Sequence, residues 1–200
     1  MSDGESFEYP ERKYGGGSTF YDEMSLIEKI KKVLFSPSEF FERIKVEKGI
    51  GRAFKYLAIL SLINLVVEIV SLKYPIPLWH IPAILGIATP IVKYIGRLIL
   101  SFVGAGLTHL FAKLLKGKGD YSATYKAQIY ASTPILLLGW IRWVGIIFAI
   151  YSFYLSLKGI SKLHEVSMIR AFVIILMTGI VMALASISVG AIYICIFTTS

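Results

Sequence analysis

Between Ala53 and Phe197 the chain runs repeatedly for about twenty residues with little charge inside each run, the length a helix needs to cross a hydrocarbon layer ~30 Å thick. In that solvent every backbone N–H and C=O must find its partner within the protein. Only helices and closed barrels satisfy this, and runs that are continuously apolar rather than alternating select helices. Five runs qualify: Ala53 to Leu72, Ile91 to Leu115, Ser122 to Ile141, Val144 to Ser161 and Ile169 to Phe197. The expected fold is all-α, an integral membrane five-helix bundle over residues 53–200. The apolar piece from Trp79 to Pro90 is left over. Its dozen residues reach only ~18 Å as a helix, and Pro75, Pro77, Pro82 and Pro90 surround it. It reads as an interfacial or re-entrant segment leading into the second span.

The first quarter is different. Ten of the thirteen acids fall before Arg52. Beyond it only Glu68, Asp120 and Glu165 stand against twelve Lys and Arg, so the formal charge of +8 belongs to the apolar part. Such a balance points to lipid headgroups and cytoplasmic loops rather than nucleic acid. Residues 1–20, with "GGGS" and scattered charge, have too little apolar surface to pack and are expected to be disordered. Residues 21–52 carry two amphipathic cytoplasmic or interfacial helices. In the first, Met24, Ile27, Ile30 and Leu34 recur at helical spacing. The second opens at "SPSEFFERI", with Ser36 as cap, Pro37 in the first turn and Glu39 placed to reach back. Its Phe40, Phe41 and Ile44 either wet the bilayer interface or dock on the bundle. The lone Cys195 reads as a packing residue.

Orientation follows from the basic residues. With the amino terminus inside, Lys55, Lys113, Lys116, Lys118, Lys126, Lys158, Lys162 and Arg170 lie at cytoplasmic ends, against Lys73, Lys93, Arg97 and Arg142 outside. This favours a cytoplasmic amino terminus and, after five crossings, an outside carboxyl terminus. Trp140 and Trp143 suit a tight outer hairpin at headgroup level.

The stretch "KGKGDYS" has the look of a phosphate loop, but Lys118 is followed by glycine, and membrane helices flank it where a strand should precede. Gly117 and Gly119 read instead as the end of one helix and Asp120 or Ser122 as the cap of the next. Lys113, Lys116, Lys118 and Lys126 form a cytoplasmic basic loop. No Cys/His cluster offers a metal site, no serine has a triad context, and no cofactor motif is recognisable.

Ionisable groups inside a span are costly and mark partners or pathways. Glu68 either pairs with Lys93 or Arg97, which sit at similar depth near the outer side, or stands apart while these basic side chains snorkel to headgroups. His109 and Gln128, about two turns from the cytoplasmic ends of adjacent spans, are placed to bond each other or a neighbour's backbone. Small residues four apart, Gly104 with Thr108, Gly179 with Ala183 and Ser186 with Gly190, let helices approach closely, within the bundle or between copies in a homo-oligomer. Pro134 is expected to kink the third span and free a carbonyl near Gln128 to Tyr130.

The runs "THLFAKLLKGKGDYSATYKAQIYASTPILLLGWI", "SFYLSLKGISKLHEVSMIRAF" and "LFSPSEFFERIKVEKG" together resemble the Yip domain family, the Ypt/Rab-interacting multi-span membrane proteins, over roughly residues 33–197. The resemblance implies a helical membrane protein with a cytoplasmic amino terminus, and the lack of any assembled acid, base or nucleophile makes the expected function non-enzymatic. In eukaryotic members it implies binding of small GTPases, partnership with other membrane proteins, and roles in membrane organisation and vesicle trafficking in the endoplasmic reticulum and Golgi. Eukaryotic members carry Asp-Leu-x-Gly-Pro before the first span, where this chain reads "KGIGRAFKY". In that respect it resembles the shorter prokaryotic branch, which implies the cell membrane. The alternative to a membrane organiser is a small-solute or ion carrier using Glu68, Lys93, Arg97 and His109.

Overall fold

The computed structural model describes residues 24–71 and 83–198, and every regular element among them is helical. In order these are α1 (Leu26–Phe35), α2 (Pro37–Arg43), a 3-10 turn (Ile44–Val46), α3 (Gly51–Ser71), α4 (Ala83–Leu114), α5 (Tyr121–Ala131), α6 (Thr133–Leu138), α7 (Arg142–His164) and α8 (Met168–Thr198). Four stretches are long and apolar enough to cross a membrane: Gly51–Val70, Ala88–Leu114, Trp143–His164 and Met168–Ser188. Ile99, Val103, Ile146, Ile150, Leu176 and Leu184 face outward from them. An apolar exterior of this extent is matched to lipid tails, and the chain is an integral membrane protein. The expected disordered tail over 1–20 and the first part of the 79–90 segment lie outside the described residues. From Ala83 onward that segment forms the first two turns of α4, which runs helically through Pro90.

The third expected span is two consecutive helices, α5 and α6. Proline has no N–H to offer the carbonyl four residues back, so Pro134 leaves that of Tyr130 open. The Thr133 hydroxyl donates to it at 2.6 Å, and Ser132 Oγ donates to the carbonyl of Ile129 at 2.7 Å. Helix α3 holds the break from the side: Tyr56 Oη lies 2.8 Å from Thr133 Oγ1, and Asn64 Nδ2 donates to the carbonyl of Leu136. The expected kink and freed carbonyl are both present.

Helix α5 is the hub. It packs against α3, α4 and α7, and eight of its eleven residues are buried. The ring of Tyr130 meets Phe40 and Tyr56 edge-on at 5.0 and 5.1 Å, geometries that aromatic quadrupoles favour. Its polar composition reflects burial against protein rather than against lipid.

Local signals distribute differently from expectation at three points. The reciprocal capping box sits at Ser25 and Glu28, whereas Ser36 makes no side-chain cap bond and Glu39 turns to Arg43. Asp120, one of the two expected candidates, does cap α5, accepting from the Ala123 amide at 2.7 Å. At the end of α4 the left-handed residue is Lys116, with φ +63°, and neither glycine that follows. Gly117 and Gly119 serve a different need, which is room for the ring of His164. Within the bundle, the described small residues of the α8 stripe do not pack either. Gly179 has open space around it and Ala183 and Ser186 are exposed, whereas the close approach belongs to Gly159, against Phe41 and Ala127.

Gly119→Ala places a methyl 2.6 Å from the Leu163 carbonyl and 2.9 Å from His164 Nδ1. Overpacking of this kind costs about 1–3 kcal/mol, and the variant should unfold at a lower temperature in detergent. Gly179→Ala, in open space on a helix, should match or exceed the parent.

Candidate functional site

The polar chemistry concentrates where the segment before α3 meets the bundle. Helix α2 lies along α7, and the corner before it reaches further down. The ring of Phe41 packs on Gly159, Glu42 pairs with Lys162 at 3.3 Å, and Tyr151 Oη donates to the carbonyl of Leu34 at 2.5 Å. Phe40, Phe41 and Ile44 are buried, so of their two readings docking on the bundle is the one realised.

Lys126 fastens this segment. It is 3% exposed, and its Nζ donates to the carbonyls of Ile44 at 3.2 Å and Glu47 at 2.5 Å. Carbonyls at the end of a short helix are poorly served by its own backbone: that of Ile44 accepts from the Glu47 amide at 3.1 Å, and the ammonium adds a charge-assisted partner to it and to that of Glu47. It is therefore a buried clasp and not part of the basic loop, because its helix turns it inward toward acceptors some eighty residues earlier in the chain. The neighbouring Glu47 is also buried and accepts from Tyr130 Oη at 3.4 Å on each carboxylate oxygen. Burial pushes its carboxyl above the ordinary range, against the pull of Lys29, Lys126 and the tyrosine hydrogen bond. Ser122 Oγ closes the contact by donating to the Gly49 carbonyl at 2.8 Å.

The remaining loop lysines stay at the surface. Lys113 reaches the Gly117 carbonyl at 3.4 Å, Lys116 is exposed, and Lys118 pairs with Glu165 at 3.1 Å. Between this turn and the docked segment opens a cleft of about 790 Å³, walled by Glu47, Lys48, Lys118, Asp120, Lys126 and Glu165 among others.

Beneath the turn, Thr124 Oγ1 lies between two imidazoles, 3.0 Å from His109 Nδ1 and 2.8 Å from His164 Nε2. One hydroxyl can donate to one ring and accept from the other. His164 is fully buried, and its Nδ1 has no partner among the described residues. His109 thus bonds a threonine rather than Gln128, which donates to Thr108 Oγ1 at 2.5 Å. At the opposite end Glu68 pairs with Lys93 at 3.5 Å. Arg97 and Gln128 share the wall of a separate groove of about 420 Å³, which Glu68, Lys93 and His109 do not line. No group of three or more potential metal ligands occurs among the described residues.

The sequence reading missed Thr124, His164, Glu47 and Tyr130 as members of these networks. A signal for part of this was present: Thr124, Lys126 and Gln128 fall within one proposed span, too many polar groups for a lipid-facing helix.

Lys126→Met keeps the stem but removes the donor shared by two carbonyls. Losing charge-assisted bonds of this kind costs roughly 1–3 kcal/mol, about five- to 150-fold in local opening. Amide exchange over residues 40–50 should accelerate by that factor, while Lys113→Met leaves it unchanged.

Compared with known proteins, residues 31–190 match the sequence model of the Yip1 domain. No curated protein and no solved structure matches. The matched range takes in α2 through most of α8, including the Lys126 clasp and the histidine pair. On a match covering most of its length, the chain belongs to the Yip1 domain family.

Proposed function

We propose that the protein is a non-enzymatic organiser of membranes. It crosses the bilayer five times, α5 and α6 together making the third crossing, with the amino terminus cytoplasmic and the carboxyl terminus outside. Its amphipathic amino-terminal helices and basic loop present one face to the cytoplasmic leaflet and to protein partners. Family likeness points to small GTPases or other membrane proteins as those partners. The observation that carries this reading is that Glu68, His109 and Gln128 each close into a separate local contact, while Arg97 lines a groove that Glu68, Lys93 and His109 do not line. Glu68 with Lys93 lies at one end, Thr124 between two histidines at the other, and Gln128 on Thr108 between them. A carrier needs such groups along one continuous wet path, whereas paired groups stabilise a dry bundle and leave its surfaces for contacts.

Reconstituted into liposomes, the protein should give no uptake of ions or small solutes above empty vesicles, with or without Glu68→Ala. Sustained uptake abolished by Glu68→Ala would instead establish the carrier reading.

A further inference from the structure

We infer that the corner between α1 and α2, with Phe35 at its tip, is sunk among the acyl chains of the leaflet at the bundle's basic end. The inference rests on the proposed placement of the bundle in the bilayer, and on contacts that fix the depth of the corner.

The bilayer frame comes from α4 and α7. Lys93 and Lys113 are twenty residues apart on α4, which at helical rise is ~30 Å, the thickness of the hydrocarbon layer. Ile95, Ile99, Val103 and Leu110 are exposed between them. On α7 the corresponding marks are the exposed Trp143 at one end and Lys162 at the other, a separation of ~29 Å.

Against that frame the docked segment reads as a ladder. Glu42 meets Lys162 at headgroup level. Phe41 meets Gly159, about 5 Å further in, and Leu34 meets Tyr151, about 16 Å in. Helix α1 descends to this level from a start at Met24 and Leu26, which border Arg52 and Lys55 at the basic end of α3.

The corner is built for such a place. Phe35 is 83% exposed, with nothing among the described residues covering it. At the same level the exposed neighbours on α7 are Ile147, Ile150 and Phe153, so the surroundings are the lipid-facing belt. The corner's backbone carries little unmet polarity: Ser36 N donates to Lys32 O and Ser36 O accepts from Phe40 N, both at 2.9 Å. Leu34 O is held by Tyr151, and Pro37 has no N–H. Lys29, Lys31 and Lys32 lie higher on α1, where four-carbon stems carry ammonium groups up to headgroups.

The test uses site-directed spin labels on Phe35→Cys, Ile150→Cys and Lys48→Cys, each in a Cys195→Ser background. The proteins are reconstituted into phosphatidylcholine vesicles containing phosphatidylglycerol. Collision with oxygen, which concentrates in lipid, is compared with collision with a water-soluble nickel chelate. Residue 35 should share the oxygen-dominated profile of residue 150 and oppose residue 48. A chelate-dominated profile at 35 beside an oxygen-dominated one at 150 overturns the inference and leaves the bilayer placement standing. Low access to both reagents at 35 overturns it in favour of a protein covering the corner. A chelate-dominated profile at 150 removes the placement itself, and the inference with it.

Discussion

A backbone carbonyl in hydrocarbon has no water to fall back on, and the rest of this structure depends on that constraint. Where α5 ends and α6 begins, the chain spends hydroxyl groups to keep its carbonyls paired: Thr133 on Tyr130 and Ser132 on Ile129. Helix α3 contributes Tyr56 and Asn64 to the same break. Each group is worth only about 1 kcal/mol net, but an open carbonyl there costs more than that. A broken helix can therefore pass through the centre of the bundle provided its neighbours carry the right side chains. Pro134 and the polar residues of α3 form one device.

The same accounting explains a buried lysine. Taking an ammonium out of water is expensive, and Lys126 offsets the expense through charge-assisted bonds to two carbonyls at the end of the 3-10 turn. The result ties the amino-terminal segment to the most buried helix of the molecule. Tyr130 bridges both levels, stacking edge-on against Phe40 and Tyr56 while its hydroxyl meets Glu47. The docked segment is thereby part of the helical bundle, and the faces it leaves exposed are held at a fixed position relative to the apolar helices.

Much of this was legible in the sequence, and the reasons are specific. Lipid leaves a spanning helix little freedom, so apolar runs locate α3, α4, α7 and α8 to within a few residues, except that α4 begins eight residues early. Glu68 and Lys93 were findable because two charges at equal depth have few other partners. Lys126 was misread because its partners are backbone carbonyls some eighty positions away, which leave no mark on local composition. The glycines of the α4–α5 turn were assigned to backbone freedom when they answer to the volume of His164, a residue forty-five positions on. The small residues of α8 show the reverse: spacing permits close approach, but no other helix of the bundle meets Gly179 there.

The central claim is an odd number of crossings, with the broken α5–α6 unit counted among them. A membrane-impermeant maleimide applied to Ser2→Cys and to Ser200→Cys, each in a Cys195→Ser background, in right-side-out and inverted vesicles, tests it most directly. The account predicts that the two positions label from opposite faces, residue 2 from the cytoplasmic one. Labelling of both from the same face would contradict it.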